Sequence, residues 1–154
     1  MITRAFFAVA LLATVPVARP VAAQSMPLVG KWHLEYERGR RMENGESTPI
    51  MGTGEITIAQ SGDSLLATLQ PGPRPDGSAA PPATFGGRLA GDEATFVQKV
   101  KATININGEE RVQELTITWK LSATGDALTG TMSRVLPMMP DAPMASPVKG
   151  TRTR

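Results

Sequence analysis

The chain has 154 residues, no cysteine, one histidine, and 16 Lys+Arg against 14 Asp+Glu. The first 23 residues hold two of the basic residues, Arg4 and Arg19, and no acid, so the remaining 131 residues are electrically balanced. That balance leaves no basic patch for nucleic acid, and Trp32, Tyr36, Phe85, Phe96 and Trp119 are the only aromatics left for base stacking. With no Cys and only His33, thiolate zinc sites, disulfides, cysteine nucleophiles and multi-histidine metal sites are ruled out.

Residues 1–23 read as a signal peptide. Arg4 supplies the positive start, Ala5 to Val17 is apolar, and Val21-Ala22-Ala23 ends in small residues that suit cleavage before Gln24. The apolar run is about 13 residues, short of the roughly 20 a spanning helix needs. With no Cys after it there is no lipid anchor, so the expectation is a periplasmic or secreted protein whose residues 24–154 form one domain.

From residue 24 onward the apolar pattern has period two, interrupted by glycine-containing breaks, which predicts an all-β fold. Eight strands are expected near 30–38, 52–60, 64–70, 84–90, 93–106, 109–122, 127–136 and 147–154. Three connections repeat a Gly-Asp pair, Gly62-Asp63, Gly91-Asp92 and Gly125-Asp126, and a fourth is Asn107-Gly108, a two-residue hairpin signal. Counting back from these turns pairs Val100 with Leu115, Phe96 with Trp119, Ala94 with Leu121, Gly87 with Phe96, Trp119 with Met132, and Ile56 with Leu69. All fall on one face, while Lys101 meets Glu114 on the other, so the four turns agree on a single apolar interior.

The tight Gly-Asp turns lie at one end of an up-and-down meander. Segments 39–51, 71–83 and 137–146 lie at the other and are expected as long irregular loops, giving a cup with a mouth. Eight strands suffice to close a barrel that is filled by side chains or holds one small ligand.

Gly30-Lys31-Trp32 opening the first strand resembles the GxW of the calycin group, which includes lipocalins, avidins and fatty-acid-binding proteins. The resemblance implies an eight-stranded antiparallel calycin-type barrel. It also implies that Gly30 and Trp32 form the floor, with Arg152 of the last strand packed across the Trp32 ring as a cation–π contact.

Along the first strand Trp32, Leu34, Tyr36 and Arg38 are expected inward, and Lys31, His33, Glu35 and Glu37 outward. His33 is then a surface histidine beside Glu35. Phe85, Gln98, Ile117 and Arg134 fall in one interior row, with Gln113 nearer the mouth. Polar groups inside a barrel require partners. Two arrangements supply them: Tyr36, Arg134 and the glutamines receive the anionic head of a partly apolar ligand, or Arg134 pairs with a carboxylate and closes the core. In the first, Arg134→Ala leaves the fold intact and weakens the ligand.

The stretch Leu136 to Met144 is rich in Met and Pro and is expected as a disordered mouth loop; Met138, Met139 and Met144 lack the further ligands a copper site needs. No carboxylate pair is forced inward and His33 has no nucleophile beside it, so catalysis is not expected, and neither is a cofactor or metal. The expected function is an exported carrier of a small apolar or amphipathic ligand held at the mouth. The alternative is an interaction module, such as an inhibitor of an exported protease, that contacts its partner through the mouth loops or residues Gln24 to Leu28.

Overall fold

The computed structural model describes residues 26–43, 46–74, 76–106, 109–136 and 139–154. Residues 1–25, on which the expected signal peptide falls, lie outside the described residues. Eight antiparallel strands follow one another round a closed barrel: β1 (Gly30–Glu43), β2 (Glu46–Ser61), β3 (Ser64–Pro71), β4 (Ala83–Ala90), β5 (Glu93–Ile106), β6 (Glu109–Thr124), β7 (Ala127–Leu136) and β8 (Met139–Arg152). There is no helix among the described residues.

The register follows the turn chemistry. Gly62, Gly91 and Gly125 have φ of 60°, 64° and 60°, the left-handed conformation that glycine adopts without a steric penalty. From those turns Ile56 pairs with Leu69, Gly87 with Phe96, Phe96 with Trp119, and Trp119 with Met132. Val100 pairs with Leu115 and Lys101 with Glu114, as the Asn107-Gly108 count requires. Alternation then buries Trp32, Leu34, Ile56, Ile58, Phe96, Trp119, Leu121 and Met132, each no more than 1% exposed. Closure comes from β1 against β8, where Trp32 to Glu35 pair with Arg152 to Lys149.

Small residues make room for large ones. A Cβ on Gly130 would lie 1.9 Å from the Lys120 carbonyl oxygen, and one on Gly87 would lie 2.3 Å from the Phe96 ring. Gly130→Ala is expected to destabilise by at least about 1–3 kcal/mol, because backbone must move to admit the methyl. Gly86→Ala, whose Cβ meets nothing within 4 Å, should stay within about 0.5 kcal/mol of wild type. Urea midpoints of the two variants make the comparison.

Two of the expected loops are strand. Segments 39–51 and 137–146 belong mostly to the hairpins β1–β2 and β7–β8, whose ladders run to Glu43–Glu46 and Leu136–Met139. Only 72–82 remains a long connection, and there Arg74 donates from its amide to the Ser78 carbonyl while the Asp76 carboxylate accepts from the Ser78 amide and hydroxyl. The ladders are uneven in length. Pairing of β4 with β5 ends at Gly87–Phe96 and that of β6 with β7 at Thr116–Val135, while β5 and β6 continue together to Ile106–Glu109. The β5–β6 hairpin therefore rises past its neighbours as a two-stranded ribbon. The β1–β2 hairpin does the same beyond Glu35, where its pairing with β8 stops.

Candidate functional site

The mouth-end interior is built by residues that face inward from five strands. From β1 come Tyr36 and Glu37, 7% and 4% exposed. The expectation of an outward Glu37 is corrected: the β1–β2 register shifts between Glu37 and Gly39, and this bulge breaks the alternation so that neighbouring side chains are both buried. Arg38, the extra residue, instead donates from Nη1 to the Pro73 carbonyl at 2.9 Å in an exposed position.

Arg134 of β7 meets this acid. Its Nη1 donates to Glu37 Oε1 at 3.3 Å, and its Nη2 donates to the Glu37 backbone carbonyl. From the rim Arg40 donates to the same carboxylate, Nε to Oε1 at 3.0 Å. Glu37 thus lies between a buried and a surface guanidinium, an arrangement that satisfies the carboxylate and holds Arg134 in place. Burial pulls the Arg134 pKa down, opposed by the charge and hydrogen bond of Glu37. Burial also pushes the Tyr36 phenol up, opposed by Arg38 and Arg134, so the phenol stays neutral at physiological pH.

Below the ion pair the interior is filled by rings. Tyr36 sits edge-on to Trp119 at 5.5 Å, Trp119 stacks on Phe85 at 6.2 Å, and Phe85 meets Phe96 edge-on at 6.2 Å. Trp119 Nε1 donates to Gln98 Oε1 at 3.3 Å, so Gln98 is partnered within the core. Ile117 stands between Gln98 and Arg134 in the ladder, as the row requires. Phe85 is buried but lies past the end of the β4–β5 ladder, where it faces Ala67 of β3. Of the residues placed at a ligand site, Tyr36, Phe85, Gln98 and Arg134 are thus engaged with other side chains. Gln113, opposite Ala102 on the ribbon, differs: its Oε1 is buried and has no hydrogen-bond partner.

The floor lies at the other end. The Arg152 guanidinium is 4.1 Å from the centroid of the fully buried Trp32 ring, and it donates to the carbonyls of Val29 and Pro27. Trp32 Nε1 donates to the Leu28 carbonyl at 2.9 Å. A Cβ on Gly30 would lie 2.5 Å from Arg152 Nη1, so the first position of Gly30-Lys31-Trp32 must be glycine for the guanidinium to fit. Met26 to Leu28 thereby form a strap under the barrel, with Leu28 2% exposed, so Leu28 is not free for the partner contact expected of that segment.

His33 is exposed on the outer wall, as are Lys31 and Glu35, with Lys31 paired to Glu55 at 3.1 Å. Of the Met-rich stretch, Met144 pairs across the ladder with Arg134; the side chains of Met138 and Met139 lie outside the described residues. The sequence signal for Glu37 was the glycine two residues later, since a glycine within a strand marks a bulge.

No family model matches the chain, and no curated protein matches it. Among solved structures it is similar to the monomer form of the M. tuberculosis PknI sensor domain, at 16% identity and a TM-score of 0.52, covering 82% of this chain and 87% of that one. At that identity the likeness is one of fold.

Proposed function

We propose that this chain is an exported, non-enzymatic recognition module that binds a protein partner at its ribbon end. The observation that supports the reading most is the pairing of Arg134 with buried Glu37 above a stack of four aromatic rings. It occupies the place where a calyx would receive a ligand head group. Recognition then falls to what stands above the closed interior. The β5–β6 ribbon offers two strand edges beyond the ladders of β4 and β7; Val97, just past the end of the β4 ladder, and Val112 on the ribbon are 48% and 68% exposed. An extended segment of an exported protein adds to such an edge by main-chain hydrogen bonds. By contrast β8, which meets β1 only from Lys149 onward, carries Pro140, Pro143 and Pro147 along its length, residues that cannot donate to an added strand.

The similar solved structure is a sensor domain, a role that also rests on recognition. A barrel of calycin type fits the Gly30-Lys31-Trp32 start and the Arg152–Trp32 floor. A second reading, a small ligand at the mouth, is favoured by one observation, the buried and unpartnered Oε1 of Gln113. A photo-crosslinking residue placed at Val97 or Val112 in the exporting cell tests the first reading. A defined heteromeric adduct at those positions, absent when the residue replaces His33 on the opposite wall, is expected; equal labelling at all three positions would overturn it.

A further inference from the structure

A half-open space lies away from the mouth. Beneath the floor a cavity of about 370 Å³ opens between the Met26–Leu28 strap, the end of β4 at Leu89, the Gly91-Asp92 turn and Ala123 of β6. Its walls are held in place. The strap is fixed by the two Arg152 bonds, by the Trp32 indole bond, and by its own turn from the Val29 amide to the Met26 carbonyl. Gly91 keeps its left-handed φ of 64° on the far side. A space with walls this well fixed needs little ordering when something enters it.

The lining is mainly apolar, with polar surface as a minority. Met26, Pro27, Leu28, Leu89 and Ala123 supply apolar surface, and Leu89 is 37% exposed with that surface facing solvent. Asp92 is the only charged residue among the described lining. Two neighbouring cations are already committed: Arg152 and Arg154 both pair with Asp126 of the next turn, at 3.5 and 3.4 Å. Asp92 has no ion pair among the described residues. Asp92 is exposed on its turn, so water screens its charge. A mainly apolar pocket with one unpaired carboxylate at its edge still favours an apolar body ending in a positive charge over one ending in an anion, because the anion is repelled and a neutral polar group gains less.

We infer that the floor cavity between the Met26–Leu28 strap and the Gly91-Asp92 turn is a binding site for a small amphiphilic cation. Such a cation is a primary amine on an apolar chain of about six carbons, sized to a pocket at the lower end of the small-ligand range. The ammonium lies at Asp92, and the chain lies against Leu28, Leu89 and Ala123. The site is at the opposite end from the ribbon and stands or falls independently of it.

Hexylammonium, hexanol and hexanoate are the probes, followed by amide and indole NMR shifts of the exported protein. Saturable shifts at Gly91, Asp92 and the Trp32 indole are expected with hexylammonium, and hexanoate should bind about three- to tenfold more weakly. Asp92→Asn should bring hexylammonium down to the level of hexanol. Ala123→Leu, which fills the pocket, should abolish binding of all three. Leu89→Arg, which places a guanidinium beside Asp92 from an already half-open position, should abolish the preference for hexylammonium over hexanoate if Ala123→Leu fails to fold. Hexanoate binding as tightly as hexylammonium, no saturable floor shift up to about 10 mM, or an unchanged preference in the folded Leu89→Arg protein would each overturn the site.

Discussion

Arg134→Ala is expected to destabilise the barrel by about 3–5 kcal/mol, because it leaves the buried Glu37 carboxylate without its interior partner. The two side chains are 14% and 5% exposed, so water reaches Glu37 Oε1 and the Glu37 carbonyl poorly and only partly replaces the lost guanidinium. Arg40 remains, but it reaches the carboxylate from the rim and is itself 36% exposed. The companion variant separates the value of the pair from the cost of breaking it. Glu37→Met combined with Arg134→Met removes both charges and keeps apolar volume, and it should recover most of the loss, since an ion pair replaced by packed side chains is often neutral. Urea unfolding monitored by Trp119, which lies against Tyr36 in the same cluster, reads both. A single Arg134→Ala variant within about 0.5 kcal/mol of wild type would remove the ion pair as the plug of the interior. This outcome replaces the expectation from sequence that the substitution spares the fold.

Trp32→Ala is expected to cost about 3–5 kcal/mol as well, by a different route. Trp32 is fully buried, covers the bottom of the core, bonds the Leu28 carbonyl and supplies the face beneath the Arg152 guanidinium. Removing it opens a cavity and frees the strap at the same time. Trp32→Phe keeps the ring and loses the indole bond, and should cost about 1 kcal/mol beyond the change in volume. Arg152→Met should fall between the two variants, since the Pro27 and Val29 carbonyls then lose a donor at the edge of the protein. A Trp32→Ala protein with the unfolding midpoint of wild type would contradict the assignment of Trp32 as the floor.

The wall of the barrel was legible in the sequence because turn and face are locked together. A Gly-Asp or Asn-Gly turn fixes which residues face one another, and one slip would place Phe96 and Trp119 in solvent, so only one register is consistent with the apolar pattern. The ribbon halves of β1, β2 and β8 were not legible. Past Tyr36 the β1–β2 hairpin has no core to face, so Gly39-Arg40-Arg41 and Ser47-Thr48-Pro49 alternate nothing, and period two vanishes although the backbone ladder continues. Prolines at 140, 143 and 147 read as loop, yet they are tolerated where β8 pairs on one side only. Asn44-Gly45 repeats the hairpin signal of Asn107-Gly108 and was the available clue.

The interior polar row shows the same division. Gln98, Ile117 and Arg134 were placed correctly by counting, since ladder position is a property of the backbone. What they touch depends on a single bulged residue. By inserting Arg38, the chain turns Glu37 inward and converts an apparent anion receiver into a satisfied ion pair. The floor cavity had no signal at all, because it lies between a strap, a turn and two strand ends contributed by separate parts of the sequence.

Native mass spectrometry of the protein recovered from the expressing cell without denaturation tests the closed interior and ribbon-end recognition most directly. No adduct is expected to depend on the mouth: the mass is either that of the bare chain or of a complex with a second protein, and any small adduct disappears with Ala123→Leu. A ligand of a few hundred daltons that survives Ala123→Leu and is lost on Gln113→Leu would contradict it, and would return the protein to the class of carriers.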